Sequence, residues 1–225
     1  MGVTDILYKF RSLSGESFKF TQDIFLRNRV FLSPVAKLND PCEAKFNYVT
    51  PQSTSPNPYK GWAQELDRSE LFGAARVFCV TESPTNALMW AHYADSHRGI
   101  CIGFRSSSPA LLACAKKVAY SSTVPSVDFD QNRQRAKESV ALTKSRDWAY
   151  EHEWRILSTD STAHSNGFMP IDKDDISEVI FGAHISGSDR DWVLDWVKLY
   201  NSSTRLFEAR FSASGYDMEI TPFTK

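Results

Sequence analysis

Neither sign of charge dominates this 225-residue chain: 26 Lys and Arg face 27 Asp and Glu, for a net charge of −1. No global field draws it toward DNA or an anionic membrane. Long apolar runs are also missing. Nothing approaches the ~20 apolar residues that span a bilayer, and Met1 to Ser12 holds no apolar stretch of signal-peptide length. A myristoylation pattern would want Ser or Thr where Ile6 stands. Cysteine is scarce and scattered: Cys42, Cys79, Cys101 and Cys114 form no CxxC and no metal-ligand spacing. Each has an apolar or small neighbour, as buried thiols do, so neither a disulfide nor a metal site is expected. These absences point to a soluble, cytoplasmic protein with no membrane partner.

Familiar catalytic signatures are absent too. There is no GxGxxG, no GxxxxGK[ST], no HExxH and no GxSxG, which argues against Rossmann dehydrogenases, P-loop NTPases, zincins and serine hydrolases. Aromatic residues, by contrast, are plentiful. Fifteen Phe, eight Tyr and six Trp make up 13% of the chain, enough ring area for a thick core or for a cleft that takes flat ligands.

Local pattern gives an ordered set of elements. Leu7 to Arg11 alternates and reads as a first strand, with Lys9 and Arg11 on one face. Phe18 to Arg29 carries apolar residues at helical spacing and feeds a strand at Val30 to Leu32. Asn39-Asp40-Pro41 is a turn. Thr50 to Pro58, with three prolines, is a loop and a candidate lid; a helix follows around Tyr59 to Phe72. Arg76 to Thr81 is strand-like. Ser83 then Pro84 reads as an N-cap with Pro at the first helical position, opening a helix to Ala94. Gly99 to Phe104 is a strand, Pro109 to Ala115 a brief helix and Lys117 to Tyr120 another strand. Asp130 to Asp147 is polar, and is either a solvated helix or a basic wall facing phosphates. Strands are expected at Tyr150 to Leu157 and Glu178 to Phe181. A helix capped by Ser188 and carrying Trp192 and Trp196 follows, then two strands near Leu206 and Met218. Helices and strands mix without a βαβ rhythm, so the class is α+β: one domain over residues 1–225, with mixed or antiparallel sheets flanked by helices.

Three constellations could carry chemistry. In Tyr150-Glu151-His152-Glu153-Trp154-Arg155, strand periodicity puts Glu151, Glu153 and Arg155 on one face. Two carboxylates so close resist ionising together, which general acid–base work can use; the plainer reading is a surface row in which Arg155 neutralises Glu153. Around the expected helix, free N–H groups near Ser83 to Asn86 would attract an anion. His92 and His97 lie along the same segment, either as structural histidines or as site groups. Lys9 and Arg11 are either exposed cations or donors to a phosphate or ribose.

Four blocks occur in order: Leu7-Tyr8-Lys9-Phe10-Arg11, Leu38-Asn39-Asp40-Pro41-Cys42-Glu43, Met89-Trp90-Ala91-His92-Tyr93-Ala94 with His97 and Gly99, and Tyr150 to Arg155. Together they resemble the mostly bacterial domain of unknown function 2971 family, with Cys42 standing where that family often has Phe. A remoter resemblance, to the split-sheet ADP-ribosyltransferase fold, implies an activity. It implies NAD as cofactor, held by Lys9 and Arg11 on an early strand and by Thr81 and Ser83 at the end of a middle strand. Glu153 is the implied catalytic carboxylate, with Glu151 completing a Glu-x-Glu, and Trp90 or Tyr93 stacks on nicotinamide; His92 and His97 join the cofactor-binding set. The first strand lacks the His that some members carry, and the middle motif is only partly Ser-Thr-Ser. The implied acceptor is nucleic acid or protein, in phage defence or a toxin system. Two other classes stay open. One is a nucleic-acid-binding or nuclease module using the basic stretch with His92, His97 and Glu151. The other is a non-catalytic partner in a two-gene module, with Trp192 and Trp196 at an interface.

Overall fold

Burial on both faces marks the first strand. Leu7 and Phe10 are buried on opposite faces of β1 (Ile6–Arg11), so this strand carries a layer on each side. The computed structural model describes residues 5–48, 72, 75–105, 114–128, 132–158 and 166–224. The lid loop expected over 50–58 lies outside them, as do nearly all of the helices expected over 59–72 and 109–115.

After β1 come α1 (Gly15–Leu26), β2 (Arg29–Phe31), β3 (Ser33–Pro34), a short 3-10 turn (Val35–Lys37), β4 (Asn47–Tyr48) and β5 (Arg76–Thr81). The middle holds α2 (Ala87–Tyr93), β6 (Ile100–Arg105), β7 (Lys116–Lys117), β8 (Ala119–Ser121) and β9 (Ser126–Val127). Next are α3 (Arg133–Ala141), β10 (Thr143–Ser145), a 3-10 helix (Arg146–Glu151), β11 (Glu153–Ser158) and β12 (Phe168–Pro170). The chain closes with β13 (Ile176–Phe181), α4 (Gly187–Tyr200), β14 (Arg205–Phe211) and β15 (Met218–Pro222).

Nine strands form one mixed sheet in the order β15-β14-β13-β6-β1-β5-β11-β7, with β3 added on β5; β13 and β14 are parallel and the other pairs antiparallel. The architecture is α+β. All six residues of β13 are buried, as expected of a strand covered on both faces. One face packs on α1 and α4, where Ile24, Phe25, Val193, Trp196, Val197 and Tyr200 join the main core. Val193, Trp196, Val197 and Tyr200 follow the i, i+3, i+4, i+7 spacing of a single helical stripe. Among the described residues no helix is long and apolar enough to cross a membrane.

Several expected boundaries move, each for a local reason. The last helix is capped by Ser186, not Ser188, because the Ser186 side chain accepts from the Asp189 amide. Helix α2 starts at Ala87, four residues beyond the Ser83 cap expected from sequence: Asn86 Oδ1 accepts from the Leu88 amide at 2.9 Å, while Ser83 Oγ bonds Thr85 in a local turn. The strand expected from Tyr150 begins only at Glu153, because residues 146–151 wind as a 3-10 helix and His152 turns left-handed at φ 45°. Cys42 and Cys114 are exposed rather than buried, since turns carry both.

Helix α2 ends in three consecutive left-handed residues, Asp95, Ser96 and His97, at φ 49°, 53° and 68°. Non-glycine residues seldom adopt this conformation, and here backbone ties on both sides hold it. The His97 amide donates to Trp90 O, and His97 O accepts from the His184 amide at 2.9 Å. A Cβ on Gly182 would lie 2.2 Å from that same carbonyl oxygen, so only glycine permits the close approach.

Candidate functional site

Strands β1 and β5 are adjacent, yet they meet in a single pair, Tyr8 with Thr81. Continued antiparallel pairing would next set Lys9 against Val80 and Phe10 against Cys79. Those four residues instead line a cavity of about 340 Å3, together with Thr81, Tyr93, Asn39, Glu43, Lys144, Glu151, Glu153 and Arg155. The sheet is continuous through this one pair and opens beside it, and the opening is the site. Exposed Lys37 and Asn39 mark its mouth.

Each wall is placed by a different element. From β11, paired with β5 in the register Glu153↔Thr81 and Arg155↔Cys79, come Glu153 and Arg155. The preceding 3-10 helix supplies Glu151, fixed where Thr81 Oγ1 donates to its carbonyl oxygen at 2.5 Å. Strand β10 contributes Lys144, the C-terminal end of α2 gives Tyr93, and the turn after Leu38 brings Asn39 and Glu43.

The charged groups form one continuous buried network. Arg155 Nε and Nη2 each donate to Glu153 at 2.9 Å, and Nη1 donates to Glu43 at 2.5 Å and to Ala141 O at 2.7 Å. Lys144 Nζ lies 2.5 Å from Glu151 Oε2 and 3.3 Å from Glu153 Oε2. Tyr93 donates to Glu151 Oε1 at 2.6 Å and accepts from Asn39 Nδ2 at 2.8 Å. The 39–43 turn thus reaches both carboxylates, Asn39 through Tyr93 to Glu151 and Glu43 through Arg155 to Glu153. The Glu153 amide is held as well, donating to the Tyr120 hydroxyl at 2.8 Å.

Electrostatics follow from this wiring. Burial alone would raise the Glu153 pKa, but Arg155 by charge and hydrogen bond, then Lys144, hold it down at about 2. Burial opposes the charge on Lys144, yet Glu153 and Glu151 more than offset it and raise its pKa. The Cys79 thiol is pushed up to about 12, by burial first and then by Glu153. Tyr93 is raised by burial and by its bond to Glu151. The site therefore presents a fixed carboxylate anion and an inert thiol.

Of the residues singled out from sequence, Lys9, Thr81, Tyr93, Glu151 and Glu153 come together in this cavity. The others do not line it. Arg11 spends Nε on Thr21 and Nη2 on Ser17 O, so it secures α1 and is unavailable as the donor the resemblance implies. Ser83 bonds Thr85 outside the cavity. Trp90 is fully buried, donates Nε1 to Pro84 O at 2.7 Å and packs edge-on against Phe10; it belongs to the core and cannot stack on a ligand. His92 is exposed beside Trp148, and His97 packs against Trp90, His184 and Phe211 on the left-handed turn. Among the described residues no cluster of His, Cys, Asp or Glu is arranged to hold a metal ion.

Neither Lys144 nor Cys79 stands out as a site residue in the sequence, where Cys79 reads as a buried thiol and Lys144 as one cation of the polar stretch from Asp130 to Asp147. Lys144 sits in a polar run whose composition signals a solvated face, and only tertiary placement turns it inward. Asn39 and Glu43 were visible as members of a motif block but carried no assigned role.

Residues 89–156 match the family described as protein of unknown function (DUF2971). The DUF2971 match starts at the third sequence block and ends just after the fourth, so it contains Tyr93, Lys144, Glu151, Glu153 and Arg155. It supports the family resemblance carried by those motifs. All four blocks, including the two that precede the DUF2971 match, contribute residues to the one cavity. No curated protein and no solved structure matches the chain.

Proposed function

We propose that the chain is an NAD-using ADP-ribosyltransferase-like enzyme in which Glu153 is the reacting carboxylate. One observation carries this reading. The strands bearing the implied early, middle and late motifs, β1, β5 and β11, lie side by side, and Glu153 lines the opening beside the β1–β5 pair.

Breaking the bond between ribose C1′ and nicotinamide leaves the electron pair on the departing nicotinamide and positive charge on the sugar. A carboxylate already ionised and clamped by Arg155 stabilises that charge without reorganising, which is the efficient form of electrostatic catalysis. Glu153 has the required state, and Glu151 sits beside it as a second acceptor for a ribose hydroxyl. At about 340 Å3 the cavity is at the lower end for small-molecule sites. It suits the nicotinamide–ribose half, with the remainder of the dinucleotide running out past Lys37 and Asn39. In this reading Tyr93 borders the nicotinamide end, the acceptor is nucleic acid or protein, and the setting is cytoplasmic, in phage defence or a toxin system.

Purified protein incubated with NAD should release nicotinamide above the rate in buffer alone, as read by chromatography. Release no faster than in buffer refutes the reading. The nucleic-acid or nuclease alternative has less support, because its acid–base groups are apart: Glu151 is in the cavity, while His92 and His97 are outside it. The non-catalytic partner alternative retains one exposed Trp, since Trp192 is 50% exposed and Trp196 is core.

A further inference from the structure

Lys9 is unlike every other described lysine. It lines the cavity, and no hydrogen bond or ion pair reaches its amine among the described residues; its close neighbour is the Phe78 ring, 5.1 Å from Nζ to the centroid. Lys9 itself is half-buried, whereas Lys144 is buried and bound to two carboxylates. Lys116 and Lys117 are exposed and paired with Glu138 and Glu82, and Lys37 and Lys198 are exposed.

We propose that Lys9 is a nucleophilic amine that captures an aldehyde or ketone in this cavity as a Schiff base. The Phe78 ring face attracts an ammonium, but an amine withdrawn from water with no hydrogen bond or ion pair to a carboxylate is poorly solvated when charged, and that favours the neutral form. Burial is the largest influence on Lys9 and lowers its pKa. The charged and titratable groups that face it do not reverse this. Cys79 of β5, with Glu153 and Glu151 from β11 and the turn before it, pull upward, while Arg11 on its own strand adds to the fall. Both carboxylates are committed to Arg155, Lys144 and Tyr93, and the neighbouring Cys79 thiol stays protonated. Of the lysines in the described lining, Lys37 stands exposed at the mouth and Lys144 is held by two carboxylates, so Lys9 is the inner amine with no carboxylate bound to it.

The step balances without a redox partner. The Nζ lone pair attacks the carbonyl carbon, and a C–N bond forms as the C=O π bond opens. The oxygen then leaves as water with the two amine protons, giving the C=N bond. This chemistry does not depend on NAD, and a failure of nicotinamide release leaves it standing.

The test is reaction of the intact protein with a limiting amount of propanal at neutral pH, trapping with borohydride and mapping the propylated lysines by peptide mass spectrometry. A lowered pKa raises an amine's neutral fraction at fixed pH, so Lys9 should be labelled ahead of Lys37 and Lys198. Its labelling should also level off at lower pH than theirs. In Lys9→Arg that label disappears and the others are unchanged. Labelling of Lys9 no faster than that of Lys37 or Lys198 in the unsubstituted protein overturns the proposal, whether or not any variant folds.

Discussion

Arg155 holds Glu153 in a two-point grip, Nε to Oε1 and Nη2 to Oε2, each at 2.9 Å. The two residues are two positions apart along β11, so strand periodicity puts both on the same face. A planar guanidinium matches a carboxylate in this geometry better than an ammonium can. The same arginine reaches Glu43, 112 residues away in sequence, and so connects the reacting carboxylate to the opposite wall of the cavity.

Removing the arginine should therefore cost stability. Arg155→Met leaves Glu43 and Glu153 buried without their shared cation, and breaking a buried pair in this way costs about 3–5 kcal/mol. Urea denaturation of variant and parent measures it. A loss below about 1 kcal/mol, the scale of an exposed pair, would show that the network does not hold the walls together.

Acid should dissolve the same grip. Glu153 has a folded-state pKa of about 2 against an ordinary value of 4.5, so the unfolded chain binds more protons between those values and stability rises with pH there. Its contribution is complete above the unfolded value and disappears as pH falls through about 2. The stability difference between the parent and Glu153→Gln should shrink steadily from pH 5 downward, as followed by denaturation at several pH values. A difference that stays constant over this window contradicts the assignment.

Thiol reactivity should divide the four cysteines in two. Cys42 and Cys114 are exposed, while Cys79 is pushed up to about 12 and Cys101 well above its ordinary value, both by burial first. Iodoacetamide at neutral pH should alkylate the first two and spare the second two in the folded protein, as read by mass mapping. Rapid alkylation of Cys79 would mean that its thiol is ionised in the cavity.

Two glycines give opposite expectations. At Gly182 a Cβ would meet the backbone oxygens of His97 and Gly99 at 2.2 Å and 2.7 Å, whereas at Gly187 nothing lies within 4 Å. Gly182→Ala forces rigid backbone apart and should destabilise by about 1–3 kcal/mol. Gly187→Ala should be neutral or stabilise by about 0.4–1 kcal/mol through the unfolded chain. Thermal unfolding of the two variants checks the contrast.

Local pattern made much of this fold legible. The strands at Ile6–Arg11, Arg76–Thr81 and Ile100–Arg105 show alternation or dense apolar runs, and their order fits an α+β chain. The cavity residues of the four motif blocks could be picked out because polar and aromatic residues recur there in a set order. Geometry beyond the local window could not be read. Alternation across Tyr150 to Arg155 cannot reveal that His152 turns left-handed, so Glu151 reaches Glu153's neighbourhood from a 3-10 helix rather than from the same strand. Nothing local distinguishes Lys144 from the exposed cations around it, because its burial depends on Glu151 and Glu153. Trp90 lies in a polar block and reads as a ligand platform, but it is fully buried, packed edge-on with Phe10, and its N–H is taken by the Pro84 carbonyl.

The most direct test of Glu153 as the reacting carboxylate is the rate of nicotinamide release from NAD by the parent protein and by Glu153→Gln, with folding of both confirmed by circular dichroism. Removing a preorganised charge that acts in the transition state typically costs about 10²–10³ in rate, and the account predicts a fall of that size with NAD binding largely retained. Equal rates in the two proteins would contradict it.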